Sequence, residues 1–266
     1  MGHQAQPRRY VIRIGKAAPI MRRINTENAP AFYALTHGGA WKDYLNLFHL
    51  PYTGWHLSYV VLGAAIAPTI HLDWLLATLL AFFLAVGIGA HALDELNGRP
   101  LQTKIPREAL ASLAAVSLAG AVVLGVVGGL AGTVWTLPFV GFGGFIVVAY
   151  NLGLWNGRFH SDVWFALTWG AFPAITSYWV QAETLTAPAC LLAVGCFAFS
   201  LAQRTLSTQV RNIRRRTVRL EGSIETSDGQ VLGLDRSSII AAPERALGLL
   251  SITAVVLAAG LLAARY

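Results

Sequence analysis

The sequence predicts an all-α integral membrane protein with about seven transmembrane helices, and three observations carry that reading. Hydrophobic residues make up 55% of the 266, charged residues only 12%, and the mean hydropathy is +0.53; a soluble domain carries about twice that charged fraction. The apolar residues are gathered into runs long enough to cross a bilayer. The cations sit almost entirely in alternate connections between those runs.

Seven runs fit as spans: 55–71, 73–93, 107–128, 131–153, 161–181, 184–204 and 244–264. Seven of the 20 Lys and Arg precede the first run, three lie between Arg99 and Arg107, one is Arg158, and eight lie between Arg204 and Arg245. Only Arg265 is left for the other side. That asymmetry places the N-terminus in the cytoplasm of a multi-pass inner-membrane protein. The net charge of +7 then reflects topology and contact with anionic membrane lipids, not a nucleic-acid partner. Cys190 and Cys196 are six apart inside an apolar run, which matches no metal-ligand spacing, and they read as small apolar packing residues.

Taken in order, residues 1–54 read as a basic cytoplasmic arm followed by an interfacial helix over 31–52. Arg8, Arg9, Arg13, Lys16, Arg22 and Arg23 crowd the first 30 positions, without the apolar core of a signal peptide. The transmembrane domain is expected over 55–264. Its first span is rich in small residues at Gly63, Ala64, Ala65 and Ala67, which permit close helix approach. The third span carries no charge. Pro138 and Gly141, Gly143 and Gly144 mark the fourth as either broken at depth or closely packed. Tyr178, Trp179 and Gln181 fall at the outer end of the fifth. Within the cytoplasmic insertion 205–243, five arginines (211, 214, 215, 216 and 219) fall in nine residues, and Asp228-Gly229 centres an expected β-hairpin over 217–234.

Chemistry concentrates where the second span ends. His91, Asp94 and Glu95 stand at i, i+3 and i+4 and share a helical face. Arg99, Lys104 and Arg107 follow a short turn. Such a mouth either holds a metal and a polyanion together or simply meets water and headgroups. A second polar cluster, Tyr150, Asn151, Trp155, Asn156, Arg158, His160 and Asp162, follows the fourth span.

Several stretches resemble the UbiA-type intramembrane prenyltransferase superfamily. They are PYTGWHLSYVVLGAAIAP at the first span, Arg99-Pro100-Leu101 after the second, LWNGRFHSDVWFALTWGAFPAITSYWVQ from the loop after the fourth span through the fifth, and Arg216-Thr217-Val218-Arg219-Leu220. Together they cover most of residues 50–222. The resemblance implies a helical bundle that binds an isoprenyl diphosphate or other prenyl lipid, with Mg²⁺ neutralising the diphosphate as it leaves. It implies Asp94 and Glu95 as catalytic residues, with His91 beside them as metal ligands. Arg99, Lys104, Arg158, Arg204 and Arg211 are then the diphosphate contacts. Tyr150, Asn151, Trp155 and Trp169 would meet the prenyl group or its acceptor. The chain departs from the family pattern in three ways. The first acidic motif is reduced to His91-Ala-Leu-Asp94-Glu95, Ser207–Arg216 holds no acid where a second motif belongs, and seven spans stand in place of nine.

Two functions follow as expectations. One is a membrane enzyme that ionises an isoprenyl diphosphate and transfers or cyclises the prenyl group, with Trp155, Trp164, Trp169 and Phe172 as candidates to line a cation cavity. The other is a non-catalytic binder of a prenyl lipid, quinone or pigment, or a subunit of a membrane complex. A retinal protein is excluded, because the seventh span has no lysine for a Schiff base.

Overall fold

The computed structural model describes residues 29–266, so the arginine-rich arm expected at the N-terminus lies outside the described residues. Eight helices are labelled in chain order: α1 (Trp41–Leu47), α2 (Leu50–Ala65), α3 (Leu72–Leu96), α4 (Arg107–Ala131), α5 (Val134–Asn151), α6 (162–182), α7 (Ala187–Arg216) and α8 (Arg236–Ala263). An antiparallel hairpin, β1 (Gly222–Glu225) and β2 (Val231–Leu234), precedes α8, with Gly229 at φ 81 in its turn.

Among the described residues five helices, α3, α4, α5, α7 and α8, are long and apolar enough to cross a membrane. Their outward faces carry large exposed apolar side chains, including Leu76, Val116, Val123, Leu191 and Ile252, the pattern of a surface solvated by lipid. The other two expected spans form helices of a different kind. α2 is only 16 residues long and lies between α6 and α8, where it buries Trp55, Tyr59, Val60 and Ala64. α6 buries Thr168, Thr176, Ser177 and Gln181. Both are interior helices, enclosed by protein, and so carry more polar residues than a lipid-facing helix tolerates.

Small residues set the spacing. A Cβ on Gly63 of α2 would overlap the Ala174 carbonyl of α6, and one on Gly170 would lie 2.6 Å from the Cys196 carbonyl of α7. Far along the bundle, Gln181 exchanges two hydrogen bonds with the His71 backbone (2.7 and 3.2 Å), joining the end of α6 to the start of α3.

Several boundaries differ from the sequence reading. α2 begins at Leu50 because Pro51 fits its first turn, and it ends before Pro68. α1 occupies only part of the interfacial helix expected over 31–52. α5 runs unbroken past Gly141, Gly143 and Gly144, so those glycines serve packing; Gly143 faces the Phe172 ring. The irregularities fall instead on π-helical turns at Phe83–Ala90 of α3 and Leu167–Ala171 of α6. α7 continues 12 residues past the expected end, so Arg204, Arg211 and Arg215 stand on a rigid helix. α8 starts at Arg236, capped by Asp235 and Ser238, and carries Pro243 in its interior.

Candidate functional site

At the end of the bundle where α3, α5 and α7 carry their polar residues, the helices enclose a chamber of about 460 Å³. Its wall is built from α2 (His56), α3 (His91, Asp94), α5 (Tyr150, Asn151) and α7 (Gln203, Arg204, Arg211, Arg215). Residues 30–33 close over it. That covering strand is held in place by hydrogen bonds from Arg214 to the Ala29 carbonyl and from Arg215 to the Pro30 carbonyl, each 3.1 Å. Asn46 of α1 clasps the Leu35 backbone at both N–H and C=O (2.8 and 3.0 Å).

Four arginines line the chamber, and Arg204, Arg211 and Arg215, less exposed than Arg216, are in unequal states. Arg204 is paired with Asp162 at 2.7 Å and lies over the Phe165 ring. Arg211 meets only the Thr208 hydroxyl, at 3.0 Å, and Arg215 only the Pro30 carbonyl. Neither has a carboxylate within ion-pair distance among the described residues. Half-buried cations without a counter-charge are unfavourable alone and create demand for an anion. Asp94 is the one carboxylate in the chamber wall, and it makes no side-chain hydrogen bond or ion pair among the described residues.

Two further polar atoms are unanswered. The Tyr150 hydroxyl and the Gln203 Oε1 are buried, with residues 4% and 2% exposed, and have no hydrogen-bond partner among the described residues. Buried polar atoms are normally paired, so these are open positions for a bound molecule. On the covering strand, the Tyr33 hydroxyl is 2.8 Å from His49 Nδ1, and the His49 ring stacks on His91 with centroids 4.0 Å apart. Burial pushes the Tyr33 phenol well above its ordinary range. Burial, then the neighbouring His91, holds His49 well below the usual histidine value, so the His49 ring is neutral. His49 adopts φ 46, in the left-handed region, a backbone conformation that costs a non-glycine residue energy and clusters at functional sites.

Val86 and Trp169 line both the chamber and a second, apolar cavity of about 310 Å³ that lies between α3, α4, α5 and α6. This second cavity is bounded by Phe82, Leu118, Val140 and Phe172 and reaches Trp74 near the opposite end of the bundle. From Val86 to Trp74 is about 18 Å along α3, at 1.5 Å per residue.

The sequence-derived residues separate clearly against this geometry. Asp94, His91, Tyr150, Asn151, Trp169, Arg204 and Arg211 all line the chamber. Glu95 does not. It is 1% exposed, and its Oε1 accepts from both the Thr103 N–H and the Thr103 hydroxyl (2.8 Å each) while Oε2 accepts from the Leu101 N–H (3.1 Å). This carboxylate holds the turn that follows α3. The Arg99 guanidinium donates to the Thr103 carbonyl at 2.7 Å, so it too belongs to that turn. Lys104 is exposed, and its backbone N–H caps Asp43. Arg158 and Trp155 are exposed (Trp155 at 62%) and line neither cavity. Arg214 is withdrawn into a bidentate pair with Glu244 (2.5 and 2.9 Å).

The expected ligand trio of His91, Asp94 and Glu95 therefore comes apart, because Glu95 turns into the loop. Among the described residues no group of three His, Cys, Asp or Glu side chains is placed to hold a metal ion. Hard Mg²⁺ prefers several oxygen ligands, and the donor set here, one carboxylate beside guanidinium groups and imidazoles, does not fit it. Sequence reasoning overlooked Arg215 as a chamber residue and passed over Gln203 and His56. The arginine run was visible, but which of its members face inward depends on the phase of α7. Comparison with known proteins yields no matching family model, curated protein or solved structure.

Proposed function

We propose that this chain is a UbiA-like membrane enzyme that binds an isoprenyl diphosphate, releases the diphosphate, and passes the prenyl group to an acceptor or closes it on itself. The observation that carries the reading is that two unlike cavities lie side by side and share Val86 and Trp169 in their linings. One presents unpaired guanidinium groups, and the other is an apolar space about 18 Å deep. A molecule complementary to both has a compact polyanionic head and a long hydrocarbon tail. The resemblance of residues 50–222 to intramembrane prenyltransferases points to the same ligand.

In this reading Arg211 and Arg215 grip the diphosphate, with Arg204 beside them, as fork-shaped donors suited to phosphate oxygens. Developing charge on the departing diphosphate is stabilised by the same groups, already oriented on one helix. Asp94 lines the same chamber and, through its charge, holds the guanidinium groups in position. The residues do not form a magnesium site of their own, so no step is assigned to a metal. Trp169 and Phe172 line the route of the tail, where aromatic faces stabilise a carbocation.

The reading also takes α2 and α6 as crossing helices enclosed by their neighbours. That gives seven crossings of the cell inner membrane, with the chamber on the cytoplasmic side, as the distribution of Lys and Arg supports. The test is direct. Purified protein supplied with geranylgeranyl diphosphate should release pyrophosphate, and Asp94→Asn should stop it. A second reading, a non-catalytic prenyl-lipid or quinone carrier or a membrane-complex subunit, is favoured by the lone carboxylate in the chamber. Tight binding without pyrophosphate release, across chain lengths and acceptors, would select it.

A further inference from the structure

His56 sits in the chamber wall beside Trp169. It lines the chamber, is only 4% exposed, and its Nδ1–H donates to the carbonyl of Trp169 at 2.8 Å, the residue whose side chain lines both spaces. That bond fixes the tautomer of the neutral ring and leaves the lone pair on Nε2. No donor meets Nε2 among the described residues, and no carboxylate contacts the ring. Phe165 and Tyr59 pack beside it and hold its plane. The π turn of α6, which presents the Trp169 carbonyl to α2, is the backbone irregularity that makes this bond available.

We propose that His56 is the catalytic base that accepts the proton released when the prenyl group forms its new bond. The inference rests on the reading above, which puts the diphosphate among the arginines and the tail beyond Trp169, so the reacting carbon lies beside Val86 and Trp169. The bond between that carbon and the diphosphate oxygen breaks, and its electron pair leaves with the diphosphate. The carbon bonds to the acceptor, or to a double bond of its own chain. A C–H or O–H bond of the bonding partner then breaks, its electrons remain in the product, and the proton joins His56 Nε2. A carbocation or its adduct is so acidic that a weak, uncharged base suffices. A carboxylate at the same place would collapse onto the cation instead. His49 and His91 are less suited, since their rings are stacked on one another.

The experiment uses full-length protein in detergent, geranylgeranyl diphosphate labelled at its first carbon, and membrane lipid extract as the acceptor source. His56→Asn keeps a donor for the Trp169 carbonyl and removes the base. The expected result is that pyrophosphate release persists within about threefold while the coupled or cyclised product falls about 100-fold. Geranylgeraniol, from capture of the cation by water, should replace it. Added imidazole should restore the original product in His56→Ala. An unchanged product distribution in a folded His56→Asn protein overturns the proposal, as does equal loss of pyrophosphate release and product. Absence of turnover in the wild type overturns the underlying reading instead. If neither variant folds, nitrogen-15 spectra of histidine-labelled wild type decide the matter. A neutral Nδ1–H ring that becomes an imidazolium during turnover supports the assignment, and a ring protonated throughout overturns it.

Discussion

Thr103 gives both its backbone N–H and its hydroxyl to a single oxygen of Glu95, each at 2.8 Å. With the Leu101 N–H on the other oxygen, the loop after α3 is wound around one buried carboxylate. Removing that acceptor leaves several donors unsatisfied. Glu95→Ala should lower stability by about 3 kcal/mol, read as a fall in melting temperature, whereas the adjacent Asp94→Asn should leave melting unchanged and abolish turnover. Equal effects of the two substitutions on melting would contradict this division of labour.

Arg211 and Arg215 have no carboxylate within ion-pair distance among the described residues, so their loss should weaken ligand binding without loosening the fold. Arg211→Ala and Arg215→Ala should each cost about 10- to 100-fold in affinity for geranylgeranyl diphosphate, the worth of one charge-assisted hydrogen bond. Titration calorimetry reads the change. The effect should shrink as salt rises, because the attraction is partly screened.

Among the described residues Val86 and Trp169 alone line both cavities, so bulk placed at Val86 should bar a ligand that occupies the two together. Val86→Trp should reduce affinity for the prenyl diphosphate by at least tenfold and leave inorganic pyrophosphate binding intact. Equal losses for both ligands would mean that the tail does not pass this point.

The pair between Arg214 and Glu244 joins α7 to α8 with both side chains largely covered. Breaking a buried pair leaves one charge without its partner, at a cost of about 3–5 kcal/mol. Glu244→Gln should therefore unfold at a markedly lower temperature, while Glu221→Gln, whose partner Arg219 lies in solvent, should behave as wild type.

His49 makes stability depend on pH. Its ordinary value is 6.5 and burial lowers it in the fold. The unfolded chain therefore binds the proton more readily, and acid favours unfolding. The full stability contribution is present above pH 6.5 and is lost as pH falls below it toward the lowered folded value. Melting temperature measured across that range should drop on the acid side. His49→Gln should flatten the slope.

Much of this arrangement was legible in the sequence, for reasons that also explain what was not. Apolar runs and the side-by-side bias of Lys and Arg mark the helices, because lipid imposes composition directly. Asp94, Tyr150, Asn151, Trp169, Arg204 and Arg211 reach one chamber because they lie at helix ends that pack together. Arg99, Lys104 and Arg158 sit equally close in sequence, yet they lie on turns whose outward or inward direction no spacing reveals. Glu95 follows Asp94 by one residue, yet its carboxylate is taken up by the Leu101 and Thr103 donors of the next loop, a tertiary contact that helical spacing does not show. His56 lies in a helix of otherwise ordinary core residues. Its partner is a backbone carbonyl 113 positions away, which leaves no local trace.

The widened turns of α3 and α6 carry a consequence for how such a site tolerates length changes. A π turn holds one residue more than the α-helical ladder around it, so everything beyond it is rotated by about 100° relative to an uninterrupted helix. In α3 that rotation intervenes between the residues that line the hydrocarbon space and the segment bearing His91 and Asp94. Excising a single residue from Phe83–Ala90 would straighten the helix and leave Asp94 in line with the arginines of α7, whereas a segment of unchanged length that wound as a regular α-helix would swing Asp94 away by about 100°.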